Sequence, residues 1–125
     1  MASMREEIRR AKVRDGVQGG LPWTRYCFGT DFSGFDGHFP GQPILPGVFM
    51  ITAAVVTLEE MLARGVQISE VHKSRFQAPI DAEQEVEVRC VQQRQIDDRY
   101  KAQFSIRGLG NRKTSECTLF YTLQS

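Results

Sequence analysis

Charge of one sign is not in excess in this chain, and long apolar runs are missing. Sixteen Lys and Arg residues stand against fifteen Asp and Glu, a formal net charge of +1. Composition therefore gives no support to a nucleic-acid partner, which calls for a clustered basic footprint. The longest apolar run, Val48 to Val56, is interrupted by Thr52 and falls well short of the roughly 20 residues that a membrane-spanning helix needs. The N-terminus is charged and carries no apolar segment of the secretory kind. A soluble, cytoplasmic protein without a membrane role is the expectation. Cysteine is scarce and odd in number. Cys27, Cys90 and Cys117 each sit in a strand-like apolar pattern, so reduced core thiols are expected, with neither a disulfide framework nor a metal site. No cofactor is implied. Histidine is scarcer still: His38 and His72 are the two side chains that ordinarily titrate near neutral pH. His72 follows an acid-bearing strand segment and adjoins Lys73, so it is expected to be exposed. The length, 125 residues, suits a single domain with a core of its own.

Proline is sparse except in one place. Three of the five prolines and three of the eleven glycines fall in the stretch from Gly37 to Gly47, GHFPGQPILPG. Proline fixes φ and offers no N–H, while glycine reaches backbone regions closed to other residues. Alternating them leaves a loop with few conformations. His38 sits in that loop, and the Pro46-Gly47 step opens the apolar run beginning at Val48. A titratable imidazole facing the free amides of a helix start supplies two ingredients of acyl-group chemistry. Asp36 lies two residues before His38, on the same side of an extended backbone. It either orients the imidazole, serves as an acid, or is a solvated loop aspartate.

The remaining pattern frames this loop. Residues 3–13 are expected to form a short amphipathic helix, with Ser3 and Glu6 as a capping box and Met4, Ile8 and Ala11 as its apolar stripe. Asp15 to Gly20 is expected to be a glycine-rich link, which makes residues 1–20 an N-terminal helix and linker and residues 21–125 a single domain. Trp23 to Thr30 has the aromatic and threonine content of a strand. From Val48 to Ala63 the residues are apolar on nearly every side, which marks a buried helix. Its end is expected at Gly65, with Glu60 and Arg64 paired at i,i+4 spacing. Beyond it the period changes to two. Strands are expected at Val66–Gln77, Glu83–Gln93 and, after a turn near Asp97-Asp98, at Arg99–Arg107. A hairpin at Gly108–Asn111 then leads into Lys113–Leu123. One long buried helix with an antiparallel sheet around it is an α+β plan.

Motif and plan together resemble the hot-dog fold, specifically the β-hydroxyacyl-(acyl-carrier-protein) dehydratases of type II fatty-acid biosynthesis. The matching residues are Gly37-His38-Phe39-Pro40-Gly41, Pro43 and Pro46-Gly47-Val48, with Lys73-Ser74-Arg75-Phe76 and Pro79 after the helix. The likeness covers most of Arg25–Leu123, and residues 1–20 do not match. The resemblance implies an antiparallel sheet wrapped around a central helix, a dimer of hot-dogs, and elimination of water from 3-hydroxyacyl thioesters to give trans-2-enoyl thioesters. It assigns His38 to proton transfer and the Gly47 N–H to the thioester oxygen. The family's second catalytic group, an acid on the helix, falls at position 52, where this chain has Thr52. A hydroxyl does not exchange protons near neutral pH as a tuned carboxyl does. Thr52 is either a weak donor to a bound thioester or to water, or a helix threonine bonded back to its own backbone. Glu59 lies on the same face but about 10 Å further along the axis.

Around these catalytic candidates (His38, Gly47, Thr52 and Asp36), the resemblance places an acyl chain among Phe39, Pro46, Val48, Phe49 and Val56. The basic set Lys73, Arg75, Arg107, Arg112 and Lys113, with Lys73 and Arg75 foremost, is expected to receive an acidic acyl carrier protein, or coenzyme A, unless it is ordinary scattered surface charge. Alternative readings are a hot-dog acyl thioesterase and a non-catalytic acyl-thioester-binding subunit. A homodimer is expected on two grounds: the resemblance, and the edge strand a single wrapped sheet leaves uncovered.

Overall fold

The computed structural model describes residues 3–29, 31–32, 47–76, 80, 83–108, 110 and 112–124. The expectations for Asp36, His38, Phe39 and Pro46 concern positions outside the described residues. In chain order the elements are α1 (Met4–Arg10), β1 (Lys12–Gln18), β2 (Leu21–Cys27), α2 (Gly47–Leu62), β3 (Val66–Phe76), β4 (Glu85–Ile96), β5 (Arg99–Arg107) and β6 (Lys113–Leu123). The strands form one six-stranded sheet in the order β1-β2-β4-β5-β6-β3, with every neighbouring pair antiparallel. This is the α+β plan read from the sequence, with one long helix against one antiparallel sheet. No helix among the described residues is long and apolar enough to cross a membrane.

The core lies between α2 and one face of the sheet. Period-two alternation on β4 buries Val86, Val88 and Cys90, and on β5 it buries Ala102, Phe104 and Ile106, as expected. Cys117, Leu119 and Tyr121 of β6 complete this face. On it α2 lays Met50, Ala53, Ala54, Val56 and Leu58, all at 2 % exposure or less. Fully burying each of the larger of these side chains contributes about 1.5–3 kcal/mol. The small pair Ala53-Ala54 lets helix and sheet approach closely. Tyr26 uses that proximity: its hydroxyl lies 3.0 Å from Thr57 Oγ1 and donates to the Ala53 carbonyl at 3.3 Å. Burial pushes the Tyr26 phenol up to about 12, so it stays protonated.

The N-terminal reading needs correction. The first helix ends at Arg10 rather than continuing to residue 13, and Asp15–Gln18 is strand rather than link. Gly19 and Gly20 both have positive φ (58° and 78°), and Gln18 pairs with Leu21. They form a two-residue hairpin turn whose twist matches antiparallel strands. Gly16 has a separate reason: a Cβ there would lie 2.7 Å from the Trp23 ring across the ladder. Ser3 caps α1 as expected, accepting from the Glu6 N–H at 3.2 Å.

What holds α1 is an acid on α2. Glu59 is 8 % exposed; it accepts from Arg9 Nη2 at 3.3 Å on Oε1 and from the Val66 N–H at 2.9 Å on Oε2, and its Oε1 pairs with Arg5 Nε at 3.2 Å. Ile8 is packed beneath at 0 % exposure. Glu59→Ala is expected to cost about 2–3 kcal/mol, because it orphans a buried amide and releases both guanidinium groups. Chemical denaturation would show this, and a loss below 0.5 kcal/mol would mean that α1 docks through Ile8 alone.

The end of α2 also differs in detail. The left-handed residue is Ala63 (φ 52°), not Gly65, and the Arg64 N–H returns to the Glu59 carbonyl at 3.3 Å, a Schellman closure. The expected Glu60–Arg64 pair does not form. Glu60 faces Lys12 and Arg9 (3.7 and 4.0 Å), and Arg64 Nε donates to the Gln124 carbonyl at 2.7 Å.

All three cysteines are free thiols. Burial pushes Cys90 up to about 11 and Cys117 up to about 12, and thiolate is the reactive form. Alkylation of the native protein at pH 8 is expected to label Cys27, which is partly exposed, well before the other two. Mass spectrometry of the labelled peptides checks this, and equal labelling would contradict the enclosed core.

Candidate active site

The helix α2 begins at Gly47, directly after the proline-rich stretch. Its first-turn amides have no acceptor within the helix, and the helix dipole adds a partial positive charge there. Nothing acidic occupies that first turn to neutralise it. An aromatic chain ties this end to the sheet. Phe49 meets Phe32 edge-on at 5.3 Å, Phe32 tilts against Phe28 at 4.7 Å, and Phe28 stacks on Tyr26 at 5.7 Å. Phe49, expected to border an acyl chain, is thus packed against Phe32, and Phe39 lies outside the described residues.

A cavity of about 400 Å³ opens beside the helix, lined by Ile51, Thr52 and Val55 of α2, Ile68 of β3, and Ser3, Met4 and Arg5 at the N-terminal end. That volume lies within the range of small-ligand sites, and so does the mix of apolar walls with a few polar groups. Thr52 is the one α2 side chain in this lining that carries a polar atom. Its hydroxyl donates to the Val48 carbonyl at 2.9 Å. Of the two alternatives left open by the sequence, the back-bonded form is the one observed. Its oxygen keeps lone pairs that can accept from a ligand or water, while its proton is engaged.

The lining contains no Asp, Glu or His among the described residues. Glu59, the helix acid further along, is committed to Arg5, Arg9 and the Val66 amide. His72 is exposed, as expected, and sits with Nε2 against Glu70 and its ring edge-on to Phe120 at 5.3 Å. Within the described residues the arrangement can therefore hold a polarised carbonyl at the helix start and an apolar chain along α2. Proton transfer has to come from outside that set.

The remaining expected site residues are dispersed. Val48 is 54 % exposed at the helix start, whereas Val56 has no exposed surface and belongs to the core rather than to a cavity wall. Lys73 and Arg75 lie on β3, an edge of the sheet, where both are exposed. Sequence reasoning missed that the N-terminal segment walls the cavity. The available signal was Ser3 capping a helix with an apolar stripe, together with an acid, Glu59, in an otherwise apolar helix.

Comparison with known proteins places these features. The sequence profile of the ApeI-like family, described as ApeI dehydratase, matches residues 24–118. A 3-hydroxyacyl-[acyl-carrier-protein] dehydratase FabZ from Agrobacterium fabrum is 32 % identical over 74 residues, covering 54 % of this chain and 48 % of that protein. The FabZ of Latilactobacillus sakei is 39 % identical over 49 residues, 34 % of this chain and 35 % of that one. The chain thus matches at most about half the length of these relatives. Among solved structures, the dehydratase heterocomplex ApeI:P from Xenorhabdus doucetiae superposes with a TM-score of 0.71 at 18 % identity, covering 89 % of this chain and 96 % of that one. A hypothetical thioesterase crystallised with coenzyme A, from Streptococcus pneumoniae, gives 0.69 at 9 % identity over 98 % and 94 % of the two chains. At these identities the structural likeness establishes the fold.

Proposed function

The chain belongs to the ApeI-like dehydratase family and has the hot-dog fold, and from that premise we propose that it acts on 3-hydroxyacyl thioesters. The reaction is loss of a proton from C2 and of hydroxide, as water, from C3, leaving a trans-2-enoyl thioester. The supporting observation is geometric: α2 starts at Gly47, where first-turn amides lack helix acceptors, and within its next two turns Thr52 lines a largely apolar cavity. The amides hold the thioester oxygen as negative charge develops on it. His38, in the proline- and glycine-rich stretch that precedes the helix in sequence, takes the C2 proton. Thr52 accepts a hydrogen bond from a water that gives a proton to the leaving hydroxyl and regains one from the His38 imidazolium, or Asp36 supplies that proton. Phe39, Pro46, Val48 and Phe49 border the acyl group, with Val56 behind them in the core. Lys73 and Arg75 face the carrier, which is acyl carrier protein or coenzyme A. A homodimer in the cytoplasm, formed along the exposed β3 edge, completes the reading.

One observation favours a second reading. The Thr52 proton is bonded to Val48 and no acid lines the cavity among the described residues. A non-catalytic acyl-thioester-binding subunit that joins an active homologue would need no acid of its own. The ApeI:P structure is of a dehydratase heterocomplex.

A single assay separates the possibilities. Incubation with a trans-2-enoyl thioester is expected to bleach its ultraviolet absorbance as water adds across the double bond, with no free thiol released. Thiol release would instead identify a thioesterase. Tight binding with neither change would leave the binding-subunit reading.

A further inference from the structure

The face of the sheet opposite α2 carries a cavity to which, of the residues assigned above, Lys73 alone contributes. It has a volume of about 130 Å³, and its polar lining is Lys73, Gln103, Ser105, Lys113, Glu116 and Thr118. That is several times the space needed for one water, and too little for an acyl chain with its carrier. Two β-bulges flank it. On β3, His72 pairs with Thr118 and Arg75 with Glu116, so the strand carries one extra residue there. Lys73 occupies that bulge in a left-handed conformation, φ 49°, a region residues other than glycine seldom adopt. On β4, a second irregularity between Cys90 and Gln92 leaves Val91, which also lines the cavity, 50 % exposed. Bulges recur where a strand re-aims a side chain toward a site.

The chemistry inside is that of an anion site. Lys73 makes no ion pair among the described residues, and Lys113 pairs with Glu116, so two ammonium groups and one carboxylate leave one positive charge in excess. Ser105 is 8 % exposed, and its Oγ has no hydrogen-bond partner among the described residues. A buried hydroxyl left unmade is costly, and Ser105 lines the same cavity as Lys73. Thr118 and Gln103, opposite one another on β6 and β5, add further donors.

We propose that this cavity binds a phosphate group, with Lys73 as the counter-charge, Ser105 and Thr118 as hydroxyl donors, and Lys113 shared between the anion and Glu116. The anion site follows from the cavity alone. The choice of phosphate rests on the acyl-thioester reading, because coenzyme A and the pantetheine arm of a carrier protein both bear phosphate.

Titration of the full-length ¹⁵N-labelled protein tests this, using inorganic phosphate, coenzyme A and phosphate-free pantetheine. Saturable shifts of the Gln103, Ser105 and Thr118 amides are expected with inorganic phosphate, and with coenzyme A if the carrier is the source; pantetheine should leave those amides unmoved. Lys73→Gly suits the left-handed backbone and removes the ammonium. It should weaken binding roughly tenfold or more, and Lys73→Arg should restore it. Unmoved amides, equal shifts with pantetheine, or unchanged affinity in Lys73→Gly would each overturn the site. Phosphate binding with no turnover of any thioester would uphold the site and remove the proposed reaction.

Discussion

Thr52→Glu is expected to raise hydration of a trans-2-enoyl thioester by about 10²–10³-fold over the unmodified chain, the scale on which a positioned general acid–base group acts. The substitution places a carboxyl where Thr52 now meets the cavity with Ile51 and Val55. Two opposing influences set its titration. The apolar walls favour the neutral acid, and the nearby helix start favours the carboxylate. A group balanced between them can give a proton and take one back. The fold should tolerate the exchange. Thr52 is only partly buried, its hydroxyl bonds, among the described residues, to the Val48 carbonyl within its own helix, and glutamate is the better helix former. Enoyl absorbance with an unchanged melting temperature checks the outcome. A variant that binds substrate yet stays inert would mean that position 52 does not face C3.

His38→Ala is expected to lower whatever turnover the protein has by at least about 10²-fold, with the loss in kcat rather than in KM. A base that works as neutral imidazole gives activity that rises with pH, and the variant should lose that limb of the profile. His72 is tied to Glu70 on the exposed part of β3, and His72→Ala should leave the profile intact. A merely structural His38 would instead lower the melting temperature and leave the pH dependence in place.

Much of the architecture was legible because it rests on periodicity. The alternation in Val86, Val88 and Cys90, and again in Ala102, Phe104 and Ile106, can be satisfied only by strands with one buried face. A helix as apolar as Val48–Leu62 must lie inside. The N-terminal strand was not legible, because β1 is exposed on both faces along most of its length and so carries no alternation. Its identity lies in the Gly19-Gly20 turn and in the Trp23 ring that covers Gly16. The Ala63 cap was hidden for another reason: closure of α2 was set by where Glu59 and Val66 meet, and a glycine two residues later drew the expectation away. At the site, the helix start at Gly47 could be read from the Pro46-Gly47 step, whereas position 52 was singled out by the family resemblance alone. The direction of the Thr52 hydroxyl could not, since a threonine in a helix bonds either to its own backbone or outward.

The most direct test is a crystal structure with a non-hydrolysable 3-hydroxyacyl-pantetheine analogue. The expected result places the carbonyl oxygen within hydrogen-bond reach of the Gly47 N–H, the acyl chain against Ile51, Thr52 and Val55, and the His38 imidazole over C2. An acyl chain bound away from α2, or an imidazole directed away from it, would contradict the proposed chemistry.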